Sequence, residues 1–240
     1  MGKTKLYFVS IDKKVENETI RRVKPKGILL SYYYFKNKNI RDWIEKIGYK
    51  PDIILDSGAF SAWTQGKEIN LKNYMEYIKE FEDCIEKYII LDEIGKPKET
   101  YENYKIMKKN GLNPVPVFHI GSDFKYMDTY KKHDEDFIAL GGVAKLKNKT
   151  LIRNWVNQLC QKYPNIKFHL LGNTSPKVIN NCPIYSADSS AYIIGAVFGN
   201  PKHISGNEFE DKVKRAKYNM VKSIKSVVKR ENYLFQQTLF

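Results

Sequence analysis

A single (β/α)8 barrel is the fold class this sequence predicts, and three observations predict it. Short apolar runs of 4 to 8 residues alternate with longer amphipathic segments along the chain. Eight such runs occur in 240 residues, close to the roughly 250 that a barrel of this kind typically needs. No linker, repeat or Pro/Ser-rich stretch divides them, so residues 1–240 form one expected domain. A doubly wound open sheet is the rival architecture. The first run is not followed by G-x-G-x-x-G, which weakens a dinucleotide-binding version of it.

The apolar runs cover residues 6–11, 27–33, 52–55, 88–91, 114–118, 137–140, 166–171 and 183–187. Their Ile, Leu, Val, Tyr and Phe content suits strands buried on both faces. Within the second run and just beyond it, Tyr32-Tyr33-Tyr34 is expected to be strand and core rather than a stacking platform. Between runs, Leu71, Met75, Ile78 and Phe81 recur at helical spacing behind Asn70, a good N-cap. Pro97 suits a first helical turn and Gly111 ends that helix. Leu151, Ile152, Trp155, Val156 and Leu159 form another stripe, after Thr150. Strand and helix in alternation is the pattern of a parallel sheet.

A last helix is expected over about residues 207–230, with Phe209, Val213, Ala216, Met220, Ile224 and Val227 on one face. From Lys212 to Arg230 it carries eight basic residues and no acid. It is either a solvated cover on the barrel or a surface that grips nucleic-acid backbone through Lys212, Lys214, Arg215 and Lys222. A shorter cluster, Arg21, Arg22, Lys24 and Lys26, suits a plain charged loop.

Composition narrows the classes. The formal net charge is +14 with 13% aromatic residues, which excludes a disordered, low-complexity chain and suggests a polyanionic partner. No apolar run reaches the roughly 18 to 20 residues of a membrane span. The three cysteines, Cys84, Cys160 and Cys182, offer no C-x-x-C zinc half-site and suit a reducing compartment. No signal peptide and no myristoylation pattern is found, Leu6 standing where Ser or Thr is required. A cytoplasmic protein is expected, in the host cytoplasm if a phage encodes it.

Chemistry-bearing residues gather just after the predicted strands. Leu55 leads into Asp56-Ser57-Gly58-Ala59-Phe60, Leu91 into Asp92-Glu93, Phe118 into His119, Leu140 into Gly141-Gly142, Leu171 into Gly172, and Ala187 into Asp188. In a parallel barrel the carboxyl ends of all strands share one rim. Asp56, Asp92 and Asp188 should therefore meet there, although any one of them alone could be a helix N-cap. Three carboxylates in one pocket suit a division between nucleophile, proton exchanger and reader of hydrogen-bond donors. Paired carboxylates also cleave glycosidic bonds.

Five segments in order resemble motifs of the tRNA-guanine transglycosylases (queuine tRNA-ribosyltransferases). Asp56-Ser57-Gly58-Ala59-Phe60 is similar to that family's DSG[GA]F, and Leu91-Asp92-Glu93 to the run holding its second pocket aspartate. Residues 139–144 resemble its A-[IL]-G-G-L-A run and residues 170–176 its L-M-G-[VN]-G-[TS]-P run. Asp188 falls where the family's nucleophile follows a strand. The resemblance implies a barrel that exchanges guanine in nucleic acid for a free 7-deazaguanine base, with no cofactor. Asp188 would form a covalent aspartyl-nucleotide and Asp56 would manage the base protons. Asp92, Ser57, His119, Gly141 and Gly142 would contact the base, held between Phe60 and Leu171.

His119 stands in place of the family's usual Gln and Ile94 in place of its Cys, and the clustered zinc ligands of the tRNA enzymes are absent. His119 would either donate toward a carbonyl of the base or be a buried histidine satisfied by backbone. The compact, zinc-free pattern resembles the phage and bacterial branch that modifies DNA. The expectation is thus a guanine transglycosylase acting on DNA, with tRNA possible. A nucleoside or DNA N-glycosidase, and a non-catalytic basic barrel that binds nucleic acid, are the alternatives.

Overall fold

The computed structural model describes residues 4–228. It is a (β/α)8 barrel. The first half runs β1 (Lys5–Ser10), α1 (Lys14–Val23), β2 (Gly27–Ser31), α2 (Tyr32–Phe35), α3 (Ile40–Ile47), β3 (Asp52–Asp56), α4 (Ala59–Thr64), α5 (Leu71–Glu80) and β4 (Lys87–Tyr88). The second half runs α6 (Pro97–Lys109), β5 (Val117–His119), α7 (Lys125–Lys132), β6 (Phe137–Gly141), α8 (Lys149–Lys162), β7 (Lys167–Leu170), α9 (Pro176–Ile179), β8 (Ser186–Ser189), α10 (Ala191–Val197) and α11 (Phe209–Val228).

The strands lie in the order β4-β3-β2-β1-β8-β7-β6-β5, and every pair is parallel. One bridge, Ile89 with Val115, joins the two ends. It is held by Ile90 N–H to Val115 O at 3.0 Å and Val115 N–H to Tyr88 O at 2.8 Å. The β4–β5 junction is therefore a seam, and the other junctions are regular ladders.

Local chemistry sets the element ends. Asn70 accepts from Asn73 N–H at 3.0 Å and caps α5 as expected. Pro97 opens α6. Helix α8 starts before Thr150, because the Asn148 side chain takes the Leu151 N–H at 3.0 Å. The tyrosine run is a correction. Strand β2 ends at Ser31, and Tyr32-Tyr33-Tyr34 begin the short helix α2. Of the three tyrosines only Tyr32 is buried. Arg21 and Arg22 lie in the last turn of α1 rather than in a loop.

Paired residues in a parallel ladder point to the same face. Ser31 pairs with Asp56, Tyr7 with both Gly27 and Asp188, His169 with both Ala139 and Ser186, and His119 with Gly141. These residues line the barrel interior. The alternate residues, among them Ile28, Leu30, Leu55, Phe118, Leu140 and Phe168, are buried beneath the helices. There they meet Ile20, Trp43, Tyr74, Met107, Ile152, Val156 and Met220. Truncating any of these large side chains to Ala would cost about 2–5 kcal/mol.

The expected C-terminal helix is observed as α11, which packs on α1 and α10. Lys229 and Arg230 lie outside the described residues. Arg215 is a correction. It is 1% exposed, so it offers nothing to a nucleic-acid backbone. Its guanidinium donates to Ala196 O at 2.8 Å, Ile204 O at 3.0 Å and Gly206 O at 2.7 Å. It pins the segment between α10 and α11. Lys214, Lys217, Lys222 and Lys225 are exposed, whereas Lys212 is half-buried. No described helix is long and apolar enough to cross a membrane.

Candidate active site

Asp56 is the last residue of β3, on the interior face at the carboxyl rim. The chain must turn at once, and Gly58 makes the turn with φ +78°. A Cβ on Gly58 would also lie 2.5 Å from Ser31 Oγ and from Tyr33 Cβ. Glycine is thus required on two counts. The turn aims the Gly58 N–H at Asp56 Oδ2, at 2.9 Å. Even so, burial, and after it the charges of Asp92 and Asp188, push the Asp56 carboxyl up to about 7. Loss of hydration and like charges both disfavour the anion.

Asp92 and His119 form a second group. They cap the two seam strands, with Asp92 Oδ2 and His119 Nε2 3.1 Å apart and the side chains 11% and 18% exposed. Ser57 is fully buried. Its hydroxyl donates to Asp92 Oδ1 at 3.5 Å and accepts from Ala59 N–H at 3.3 Å. That corrects the expectation of direct ligand contact: Ser57 steadies Asp92. Gly141 sits beside the His119 ring, and a Cβ there would come within 2.6 Å of its Cδ2. The Gly141 carbonyl accepts from Ile120 N–H at 3.1 Å. Gly142 turns the chain away with φ +80°.

Asp188 forms a third group, on β8. It is 4% exposed. Its Oδ1 accepts from Gly172 N–H at 3.0 Å and lies 3.1 Å from His169 Nε2. The other imidazole nitrogen, Nδ1, is 2.8 Å from Ser186 Oγ. A proton on Nε2 serves the carboxylate and leaves Nδ1 to accept the Ser186 hydroxyl. Among the described residues, both hydrogen bonds to the Asp188 carboxylate end on Oδ1.

His169 is absent from the sequence-derived candidates. It is hidden in the apolar run at 166–171, between Phe168 and Leu170. Its signal was a polar side chain at an alternate position of a buried strand, where it must face the interior of a barrel. Of the other expected residues, Leu171 is half-buried beyond β7. Phe60 is 41% exposed, with Lys145 Nζ 4.7 Å from its ring centre. Among the described residues, no group of three or more His, Cys, Asp and Glu side chains is arranged to hold a metal ion.

No protein-family model matches the sequence, and no curated protein matches it. Solved structures do match in fold. A protein assigned as a fructose-1,6-biphosphate aldolase from Coccidioides immitis superposes with a TM-score of 0.59 at 9% identity, covering 95% of this chain and 93% of its own. Tryptophan synthase subunit alpha from Legionella pneumophila gives 0.53 at 12% identity, covering 94% of each chain. The BexX/CysO complex from Amycolatopsis orientalis gives 0.55 at 8% identity, covering 95% and 91%.

At these identities the likeness carries the fold and no activity. It does correct the family expectation. The barrels that superpose here include a protein assigned as a fructose-1,6-biphosphate aldolase and tryptophan synthase alpha rather than transglycosylases, and no family model supports the five-motif resemblance. Guanine exchange in DNA or tRNA is therefore withdrawn, with the transferase and DNA-modification roles that followed from it. The geometry gives the DSGAF segment a plainer explanation: a strand end, a glycine turn and a helix start that position Asp56 and Ser57.

Proposed function

We propose that this chain is an enzyme that performs carboxylate acid–base chemistry on a small polar molecule held in the barrel mouth. The observation that supports this reading is the meeting, at one rim, of Asp56 with two Asp–His pairs, Asp92–His119 and Asp188–His169. Asp56 is the proton exchanger, since proton transfer is most efficient when the group titrates near the working pH. Asp188 offers Oδ2 to the reacting part of the substrate, held in place by His169 and the Gly172 N–H. Asp92 and His119 together offer an acceptor and a ring N–H or lone pair for orientation.

Metabolite extracts incubated with the protein and followed by mass spectrometry test this. Wild-type protein should deplete a small molecule that Asp56→Asn depletes at least about 100-fold more slowly. The rate with that molecule should show an inflection near pH 7 that the variant lacks. Equal depletion by both proteins, or by neither, would overturn the reading.

A further inference from the structure

Beside the catalytic rim lies a cleft of about 510 Å³, walled by the loops after β6, β7 and β8 and by the outer half of α11. Its volume falls in the range of small-molecule sites, about 300–1,000 Å³. Its chemistry is one-sided. The lining includes Lys149, Lys222, Thr174, Ser175, Ser189 and Ser223, and no Asp or Glu. Neither lysine has an ion-pair partner among the described residues. Lys149 Nζ donates once, to Leu146 O at 3.0 Å. Lys222 lies over the Tyr218 ring, 6.0 Å from its centre.

The hydroxyls add donors. Among the described residues, those of Thr174 and Ser175 have no hydrogen-bond partner. Ser189 Oγ accepts from Ala191 N–H at 3.0 Å, so its own proton remains to donate. A concave site with two ammonium groups, three free hydroxyl protons and no carboxylate is matched by a compact oxyanion of more than one charge. Acidic side chains, where present, would have repelled it.

The cleft also touches the catalytic cluster directly. Gly172, which lines the cleft, donates its N–H to Asp188 Oδ1. Ser189 follows Asp188 in the chain. The cleft therefore adjoins the residues that hold Asp188. In barrels of this architecture, the loops after strands seven and eight often hold phosphate.

We infer that this cleft binds the phosphate group of a phosphorylated small molecule, with Lys149 and Lys222 as its cations and the hydroxyls of Thr174, Ser175 and Ser189 as its donors. The inference is about binding and does not depend on the proposed chemistry. A phosphodiester of nucleic acid would offer the same oxygens. It carries one charge per phosphate and lies along a strand, whereas the cleft gathers two cations at one place.

Titration of the full chain with inorganic phosphate, followed calorimetrically and by phosphorus NMR line width, tests the inference. One phosphate should bind per chain. Lys149→Ala and Lys222→Ala should each weaken it at least tenfold, and the double variant should abolish it. Lys214→Ala, on the same helix but outside the cleft, is the control for general charge. Asp188→Asn should still bind phosphate, which separates this site from the fate of the catalytic reading. No phosphate binding, or equal weakening by Lys214→Ala, would overturn the inference. So would Lys149-dependent binding of a single-stranded oligonucleotide by a protein that ignores inorganic phosphate.

Discussion

Replacing Asp56 by Asn should stabilise the protein at alkaline pH. The Asp56 carboxyl titrates at about 7 rather than 3.8, mainly because it is buried, then because Asp92 and Asp188 are near. The folded protein holds that proton more tightly than the unfolded chain does. Between pH 3.8 and about 7 the folded state therefore carries the extra proton, and stability falls as pH rises. The contribution is intact below 3.8 and lost above about 7. About three pH units at about 1.4 kcal/mol each set an upper bound of about 4 kcal/mol. Starting at about pH 5 and allowing for screening leaves about 2 kcal/mol. Asn is nearly isosteric, cannot ionise, and keeps an oxygen for the Gly58 N–H. Urea unfolding of wild type and Asp56→Asn at about pH 5 and about pH 8.5 reads the effect. The variant should gain about 2 kcal/mol relative to wild type between the two conditions, or roughly 4–8 °C in melting temperature. A stability difference that is the same at both pH values would refute the claim that Asp56 is buried as a neutral acid.

Two other substitutions probe the site and its scaffold. Gly141→Ala should cost about 1–3 kcal/mol, because its Cβ meets the His119 ring. Gly141→Ala in a His119→Ala background should cost much less, and chemical denaturation of the four proteins checks this. Arg215→Met should lose about 2–4 kcal/mol by leaving the Ile204 and Gly206 carbonyls without their donor, whereas exposed Lys214→Met should stay within about 0.5 kcal/mol. Equal melting temperatures for those two variants would contradict the burial of Arg215.

The barrel was legible because its strands are short, doubly buried and evenly spaced. That periodicity survives in the sequence even where β4 and β5 shrink to two and three paired residues. The rim aspartates were legible by the same logic, since a strand end fixes where a following residue must go. His169 was not, because a single polar residue in an apolar run shows its role only once the run's inward face is known. Arg215 misled for the opposite reason. Seen in a basic run it suggested a surface charge, but its position on the apolar face of α11, beside Ala216, turns it inward. The five-motif resemblance failed in a third way. Short strand-end motifs with glycine and aspartate answer the geometric needs of parallel barrels, so they recur without a shared reaction.

The single-bridge closure between Ile89 and Val115 divides the mouth of the barrel into unequal halves. Asp188 and His169 stand on adjacent strands of the unbroken ladder, and their spacing is fixed by neighbours on both sides. Asp92 and His119 stand on either lip of the seam, which is tied by the Asp92–His119 pair above and by two backbone hydrogen bonds beneath. One pair is set within the ladder and the other spans its closure. Whatever enters the mouth meets a continuous ladder on one side and, on the other, two strand ends joined by a single bridge.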